Sequence, residues 1–166
     1  MSDNDLWERW MDGYGPGLLL YARQWVKSVP EAEDLVQEAF VRFWSTGRWR
    51  DLDPKMHLYL YLKRAALDRI RSRTRREARE EIAAARPIPE EGLFETTAER
   101  AEWRRMAAEA LGELPEEQRE VIVLKVWGGL TFPEIGEVAG VPANTAASRC
   151  RYALAALREK LVEKVS

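Results

Sequence analysis

This chain of 166 residues has little of several features that mark common functional classes. It has one cysteine, Cys150, and one histidine, His57, which together exclude an internal disulfide and argue against a metal site. It has no run of 18 apolar residues, so neither a membrane-spanning helix nor membrane insertion is expected. The N-terminal residues MSDNDLWERW are acidic and lack the apolar centre of a secretion signal, which predicts a cytoplasmic protein.

The chain also lacks the alternating pattern of β-strands and any nucleophile motif. Its apolar residues recur at helical spacing throughout, so an all-α fold is expected. The lone histidine falls at a junction between a loop and a helix, and the carboxylates fall on helix faces or in a linker. We therefore expect a protein that is not an enzyme and that needs no cofactor.

The net charge of −2 conceals basic and acidic segments. Residues 61–80 hold eight basic and three acidic side chains, whereas residues 81–120 hold five basic and eleven acidic ones. Local potential governs contact with phosphates, so the weak net charge does not exclude DNA as a partner. It does predict weak non-specific DNA binding by the isolated chain.

The apolar pattern predicts two small helical bundles joined by a flexible acidic linker. Residues 1–79 form the first, residues 80–100 the linker and residues 101–166 the second. In the first bundle, we expect a long helix over residues 56–79 after a polar loop. The first apolar stripe of this bundle is expected to be interrupted at Gly13, Gly15 and Pro16.

Most of the tryptophans fall at the spacing of a helical core. This spacing predicts packing rather than base stacking for Trp7, Trp10, Trp25, Trp44 and Trp103. Trp49 differs because it lies in the polar loop, where an exposed indole can stack on unpaired bases. We therefore predict that Trp49 contacts DNA.

Residues 130–157 have the pattern of a helix-turn-helix. Thr131 and Glu134 form a capping box, and Gly140 lies where a helix ends in the left-handed region. The second helix opens with small polar and basic residues and is expected to carry Leu154 on its buried side. Such a helix can present its first turns to a major groove, although an ordinary helical hairpin has the same outline.

Three segments together resemble bacterial sigma factors. EAEDLVQEAFVRFW, residues 31–44, resembles their segment that binds core RNA polymerase, and ALDRIRSR, residues 66–73, resembles their −10 element-binding helix. Residues 110–159 resemble their −35-binding domain. The order and spacing are those of the small extracytoplasmic-function (group 4) sigma factors.

The resemblance implies site residues for three contacts. The surface for the clamp coiled coil of core RNA polymerase would comprise Asp34, Leu35, Gln37, Glu38 and Phe40. The −10 element of promoter DNA would be contacted by Trp49, Arg64, Asp68, Arg69, Arg71 and Arg75. The −35 element would be contacted by Asn144, Thr145, Ser148, Arg149 and Arg151.

Residue types in the second helix refine the −35 prediction. Ala146 and Ala147 are expected to lie flat against the groove, so base reading falls to their polar neighbours. Arg151 and Lys125 are better placed for phosphates, which position a helix without reading sequence. Some positions depart from the family pattern, which usually has an asparagine at Arg64 and a basic residue at Ala147.

Two functions are consistent with these patterns. A sigma factor would use both bundles, with the second also contacting the polymerase flap, and the resemblance further implies an anti-sigma factor as a partner. A stand-alone helix-turn-helix regulator that binds operators as a dimer would explain residues 110–160. That alternative leaves residues 31–44 without a role.

Overall fold

Residues 2–73 and 98–165 are described by the structure, a computed structural model, and they form helices and no strand. This confirms the all-α prediction. The chain divides into two compact units, Met1–Glu81 and Ile82–Ser166, each with its own core. Arg75 and most of the predicted linker lie outside the described residues.

Within residues 2–73, the first unit forms three α-helices and a short 3₁₀ helix. Helix α1 is Asp3–Ala22, α2 is Val29–Ser45, the 3₁₀ helix is Arg48–Arg50 and α3 is Pro54–Ser72. Each α-helix begins after a residue whose side-chain oxygen accepts a backbone N–H of the first turn, which satisfies a donor that the helix leaves unpaired. These caps are Ser2, Ser28 and Asp53.

Helix α1 corrects the predicted interruption at Gly13, Gly15 and Pro16, because it runs through all three. Proline in a helix removes one N–H donor, and glycine costs about 0.5–1 kcal/mol relative to alanine. Buried residues on both sides of this stretch pack α1 against α2 and α3 and offset those costs. They are Trp10 before it and Leu18, Leu20 and Tyr21 after it.

Helix α3 is shorter than the predicted helix over residues 56–79. It ends at Ser72, and Arg73 is extended with φ −88° and ψ 160°. Arg73, within the basic tract, therefore lies outside α3, and the later arginines of the tract lie outside the described residues.

Residues 98–165, the described part of the second unit, form four helices. Helix α4 is Ala98–Glu113, α5 is Glu116–Val126, α6 is Phe132–Ala139 and α7 is Ala143–Val165. Helix α7 packs against all three of the others. The buried core side chains include Leu111, Val121, Ile122, Leu124, Leu130, Ile135 and Ala146.

Two residues expected in this core are exposed. The Trp103 side chain of α4 is 50% exposed, and Leu154 of α7 is 51% exposed. The buried positions of α7 are Ala146, Cys150 and Ala153, one or two turns apart, and Leu154 falls beside that line. Trp103 and Leu154 instead line an open apolar groove of about 660 Å³ between α4 and α7.

Candidate nucleic-acid and polymerase interface

Helix α2 separates the predicted polymerase-binding residues onto two faces. Asp34 and Gln37 are exposed and lie on one side. Leu35 and Phe40 are 0% and 1% exposed, so the prediction that they contact the polymerase is wrong. Because they continue the apolar stripe that packs against α1 and α3, they hold α2 in place.

Val41 is an exposed residue on the same side of α2 as Asp34 and Gln37, and the sequence pattern did not single it out. It is 55% exposed and lies seven positions after Asp34, or about two helical turns. The sequence signal for Val41 is an apolar residue that lies outside the buried stripe of α2 and seven positions after Asp34. Asp34, Gln37 and Val41 form a surface that we call the α2 face.

Glu38 lies at the edge of the α2 face and is half-buried. Its carboxylate accepts hydrogen bonds from Arg42 at 2.8 Å and from Arg69 of α3 at 3.2 Å. Asp68 accepts a hydrogen bond from Arg42 at 3.0 Å and lies 3.5 Å from Arg71. The structure thus brings one predicted polymerase residue together with three predicted −10 residues.

One side of α3 combines aromatic and basic side chains. Tyr61, Arg64 and Arg71 follow one another at helical spacing, and the guanidinium of Arg64 lies 5.5 Å from the centre of the Tyr61 ring. Tyr61 is half-buried against Phe43, at 6.1 Å between ring centres, so it has a fixed orientation. Sequence reasoning missed Tyr61, whose four-residue spacing from His57 and three-residue spacing from Arg64 were the available signals.

Trp49 is a core residue, which corrects the prediction that it stacks on unpaired bases. It is 8% exposed, and its ring stacks on Trp44 at 4.0 Å between centres and 12° between planes. Trp10 meets it edge-on at 6.2 Å, and the Arg50 guanidinium covers it at 4.6 Å. No face of the indole is left for a base, and the ring instead anchors the loop between α2 and α3.

His57 adds no positive charge to the aromatic and basic side of α3 at physiological pH. Its ring stacks on Phe43 at 5.6 Å and 5°. Burial and the neighbouring Arg48 lower the pKa of His57 below its ordinary value, so the imidazole is neutral at physiological pH.

The turn between α6 and α7 has the predicted helix-turn-helix geometry. Thr131 and Glu134 cap α6 reciprocally at 2.9 and 3.3 Å, and Gly140 is left-handed with φ 74°, which confirms both predictions. The N–H of Val141 donates to the carbonyl of Gly136 at 3.0 Å. A Cβ at Gly136 would lie 2.5 Å from the Val141 carbonyl oxygen, so the turn requires glycine there.

Helix α7 directs the predicted −35 residues away from the core. Asn144 and Arg151 are exposed, and Thr145, Ser148 and Arg149 are half-buried. Ala146 is fully buried, so the prediction that it lies flat against the groove is wrong. Ala146 belongs to the line of small buried residues that packs α7 onto the other helices. The helical period places this line on a different side of α7 from the polar residues.

Two basic residues of the second unit are engaged within the protein. Arg149 lies 3.5 Å from Glu117 of α5, which orients its guanidinium. Lys125, predicted to hold a phosphate, donates to the carbonyl of Leu130 at 3.2 Å and lies 4.5 Å from the centre of the Phe132 ring. Lys125 therefore stabilises the connection between α5 and α6.

Cys150 and the potential metal ligands of the described residues form no metal-binding group. Cys150 is buried in the second unit, and burial raises the pKa of its thiol. Among residues 2–73 and 98–165, no group of three histidine, cysteine or carboxylate side chains is arranged to hold a metal ion. In the same residues, no helix is long and apolar enough to cross a bilayer.

Comparison with known proteins accounts for both units. The Sigma-70 region 2 family matches residues 10–76, and the Sigma-70 region 4 family matches residues 104–157. The RNA polymerase sigma-E factor of Streptomyces coelicolor is 32% identical over 147 residues, 89% of this chain and 81% of that protein. The ECF RNA polymerase sigma factor SigW of Bacillus subtilis is 28% identical over 170 residues, 96% of this chain and 91% of that protein. The chain belongs to the extracytoplasmic-function class of sigma factors.

A solved sigma factor has the same fold. RpoE of Bartonella quintana, crystallised in complex with the anti-sigma factor NepR, superposes with a TM-score of 0.71. The match covers 95% of this chain and 96% of that one, at 21% identity.

Membership in the family decides between the two functions that the sequence left open. The region 2 match includes all of α2 and α3, which an operator-binding dimer would leave without a role. A sigma factor binds core RNA polymerase and directs it to promoters, and this is the function of the chain. The region 4 match ends at Leu157, so the last turns of α7 and their side of the apolar groove lie beyond it.

Proposed function

We propose that the α2 face binds core RNA polymerase in the cytoplasm, where it meets the clamp coiled coil. The carboxylate of Asp34 and the amide of Gln37 are exposed one turn apart, which suits a basic partner helix. Val41 extends the same face with an exposed apolar side chain that can be buried on docking. The exposure of this face, on a helix fixed by its buried side, is the observation that carries the proposal.

The −10 contact in this proposal is made by the aromatic and basic side of α3. Bases of a separated strand stack on aromatic rings, and arginines neutralise the phosphates. Tyr61 supplies a ring held by Phe43, and Arg64 and Arg71 supply charge. Asp68 does not contact phosphate, because its carboxylate repels the negative charge of a phosphate. It contributes to the −10 contact by holding Arg42 and Arg71 in place.

The −35 contact is made by the first turns of α7 in a major groove. Asn144 and Arg149 carry the amide and guanidinium groups that pair with adenine and guanine edges. Arg151, which is exposed and donates to Ser148 at 3.2 Å, is placed for a phosphate. The protein supplies specificity, and the polymerase carries out the bond-making chemistry.

The apolar groove between α4 and α7 is the second polymerase contact in the proposal. Its lining is almost wholly aliphatic and aromatic, and Trp103, Leu154 and Val162 are exposed within it. An exposed apolar groove of this kind marks a protein-binding site, and the polymerase flap is the partner that we assign to it. We also propose that an anti-sigma factor controls the protein by covering these surfaces.

Co-purification with core RNA polymerase tests the α2 face. We expect the double substitution Asp34→Arg and Gln37→Arg to abolish co-purification, because it places two cations against a basic partner helix. The matched control is Asn4→Arg with Glu8→Arg on α1, which changes the charge by the same amount at exposed positions one turn apart. Equal binding by both double variants would contradict the assignment of the face.

The −35 assignment predicts different effects for two arginines of α7. On duplexes selected from a random library with the polymerase complex, Arg149→Ala should relax the preference at one guanine by about 1–3 kcal/mol. Arg151→Ala should weaken all duplexes alike and reduce the slope of log affinity against log salt by about 0.9. Reversal of these two patterns would exchange their roles.

A further inference from the structure

Five charged side chains at the junction of α2 and α3 form one connected network. Arg42 donates to Glu38 at 2.8 Å and to Asp68 at 3.0 Å. Arg69 donates to the second oxygen of Glu38 at 3.2 Å, and Arg71 lies 3.5 Å from the second oxygen of Asp68. The network therefore runs from Glu38, at the edge of the α2 face, to Arg71 on the aromatic and basic side of α3.

The geometry of the network holds Arg69 on α2. Each oxygen of Glu38 accepts from a different arginine, and Glu38 is the carboxylate that Arg69 contacts among the described residues. Arg42 has Asp68 as a second partner and stays fixed if Glu38 moves. Burial alone would lower the pKa of Arg42, but its hydrogen bonds to the two carboxylates outweigh that effect and raise it.

The network is accessible to competing partners. The side chains of Glu38, Arg42 and Arg69 are 32–34% exposed, so water and incoming charges reach all three. Ion pairs with this exposure contribute little stability, and a better-placed cation or anion can replace either partner. A basic partner helix at the α2 face would offer Glu38 such a cation.

We propose that Glu38 withholds Arg69 from DNA in the free protein and releases it when α2 docks on the polymerase. A cation of the basic partner helix replaces Arg69 as the ion-pair partner of the Glu38 carboxylate. The freed Arg69 guanidinium then neutralises a phosphate of the −10 strand. Docking thus adds one phosphate contact to α3 at the moment when DNA is to be opened. This inference rests on the proposed function, in which Glu38 borders the polymerase-docking face.

The test measures binding of the full chain, without polymerase, to a short fluorescein-labelled oligo(dT). One additional phosphate contact on a single strand steepens the slope of log affinity against log salt by about 0.7 and tightens binding about fivefold near 0.1 M salt. We expect this change for Glu38→Gln, which keeps the shape of the side chain and removes its charge. Adding Arg69→Gln to Glu38→Gln should return both the affinity and the slope to the wild-type values.

The matched control is Glu33→Gln, an exposed carboxylate on the same helix with no arginine partner in the described part of the chain. It removes the same charge, so an equal gain for Glu33→Gln and Glu38→Gln would show a general charge effect and overturn the inference. A gain that persists in the double variant would also overturn it, because Arg69 would not be the released group. Thermal unfolding of each variant confirms that the compared proteins are folded.

Failure of the inference and failure of the proposed function give different results. If the wild-type chain co-purifies with core polymerase and Glu38→Gln binds oligo(dT) no more tightly, the inference alone is overturned. If the double substitution Asp34→Arg and Gln37→Arg co-purifies as well as its control, the proposed docking face is wrong and the release step loses its trigger. The oligo(dT) measurement would then still report whether Glu38 restrains Arg69.

Discussion

Trp49→Ala is expected to destabilise the first unit by about 3–5 kcal/mol, the range for removing a large buried aromatic side chain. The ring is buried between Trp44, Trp10 and the Arg50 guanidinium, and truncation would leave a cavity between α1, α2 and the loop that follows α2. Because a domain of this size has only about 5–15 kcal/mol of stability, polymerase binding and promoter opening should both fall. Urea denaturation followed by circular dichroism would measure the loss.

Trp103→Ala is the matched control for the stability measurement alone, because Trp103 lines the groove proposed to bind the polymerase flap. It removes the same side chain from a half-exposed position on α4, where we expect a cost of roughly 1 kcal/mol. A stable Trp49→Ala protein that binds polymerase normally and fails only in promoter opening would contradict the core role. It would restore the interpretation in which Trp49 stacks on DNA.

Gly136→Ala is expected to disrupt the helix-turn-helix, with a cost at the upper end of the roughly 1–3 kcal/mol of an overpacked core. The added Cβ would lie 2.5 Å from the carbonyl oxygen of Val141, a backbone atom that cannot rotate away. Relief requires α6 and α7 to separate at their turn, which displaces Asn144 and Arg149. The second unit should unfold at a lower temperature, and binding to −35 duplex should be lost.

Gly13→Ala provides the opposite outcome from the same chemical change. The site of its Cβ is open, and the residue lies inside α1, so alanine should stabilise that helix by about 0.5–1 kcal/mol. A Gly136→Ala protein as stable as Gly13→Ala would show that the turn tolerates a side chain. Differential scanning calorimetry of the two variants would compare the two units directly.

Signals that act within one or two turns of the chain were sufficient for much of this protein. The capping box of Thr131 and Glu134 and the left-handed Gly140 were both predicted, because each depends on residues three or four positions apart. The helical period predicted the all-α fold, and the three segments that resemble sigma factors predicted the family. Asp34 and Gln37, which the resemblance assigned to a surface of α2, are both exposed.

Residues that sequence spacing treats alike were separated by the tertiary structure. Trp49 was predicted to be exposed and is buried, whereas Trp103 was predicted to be buried and is half-exposed. Leu35 and Phe40 were assigned to a surface although they form the core. Burial depends on which elements meet, and spacing within one helix does not specify its neighbours.

Tertiary contacts also decided two further features. Local propensity opposes the first, and local sequence gives no information about the second. Helix α1 continues through Pro16 because packing on α2 and α3 outweighs the local cost. The contact of Glu38 with Arg69 joins residues 31 positions apart, so it exists only where α2 and α3 pack together. The sequence by itself determined the all-α fold, the caps of α6 and the family. Packing alone decided which side chains reach a partner, because solvent exposure and long-range ion pairs are properties of the assembled unit.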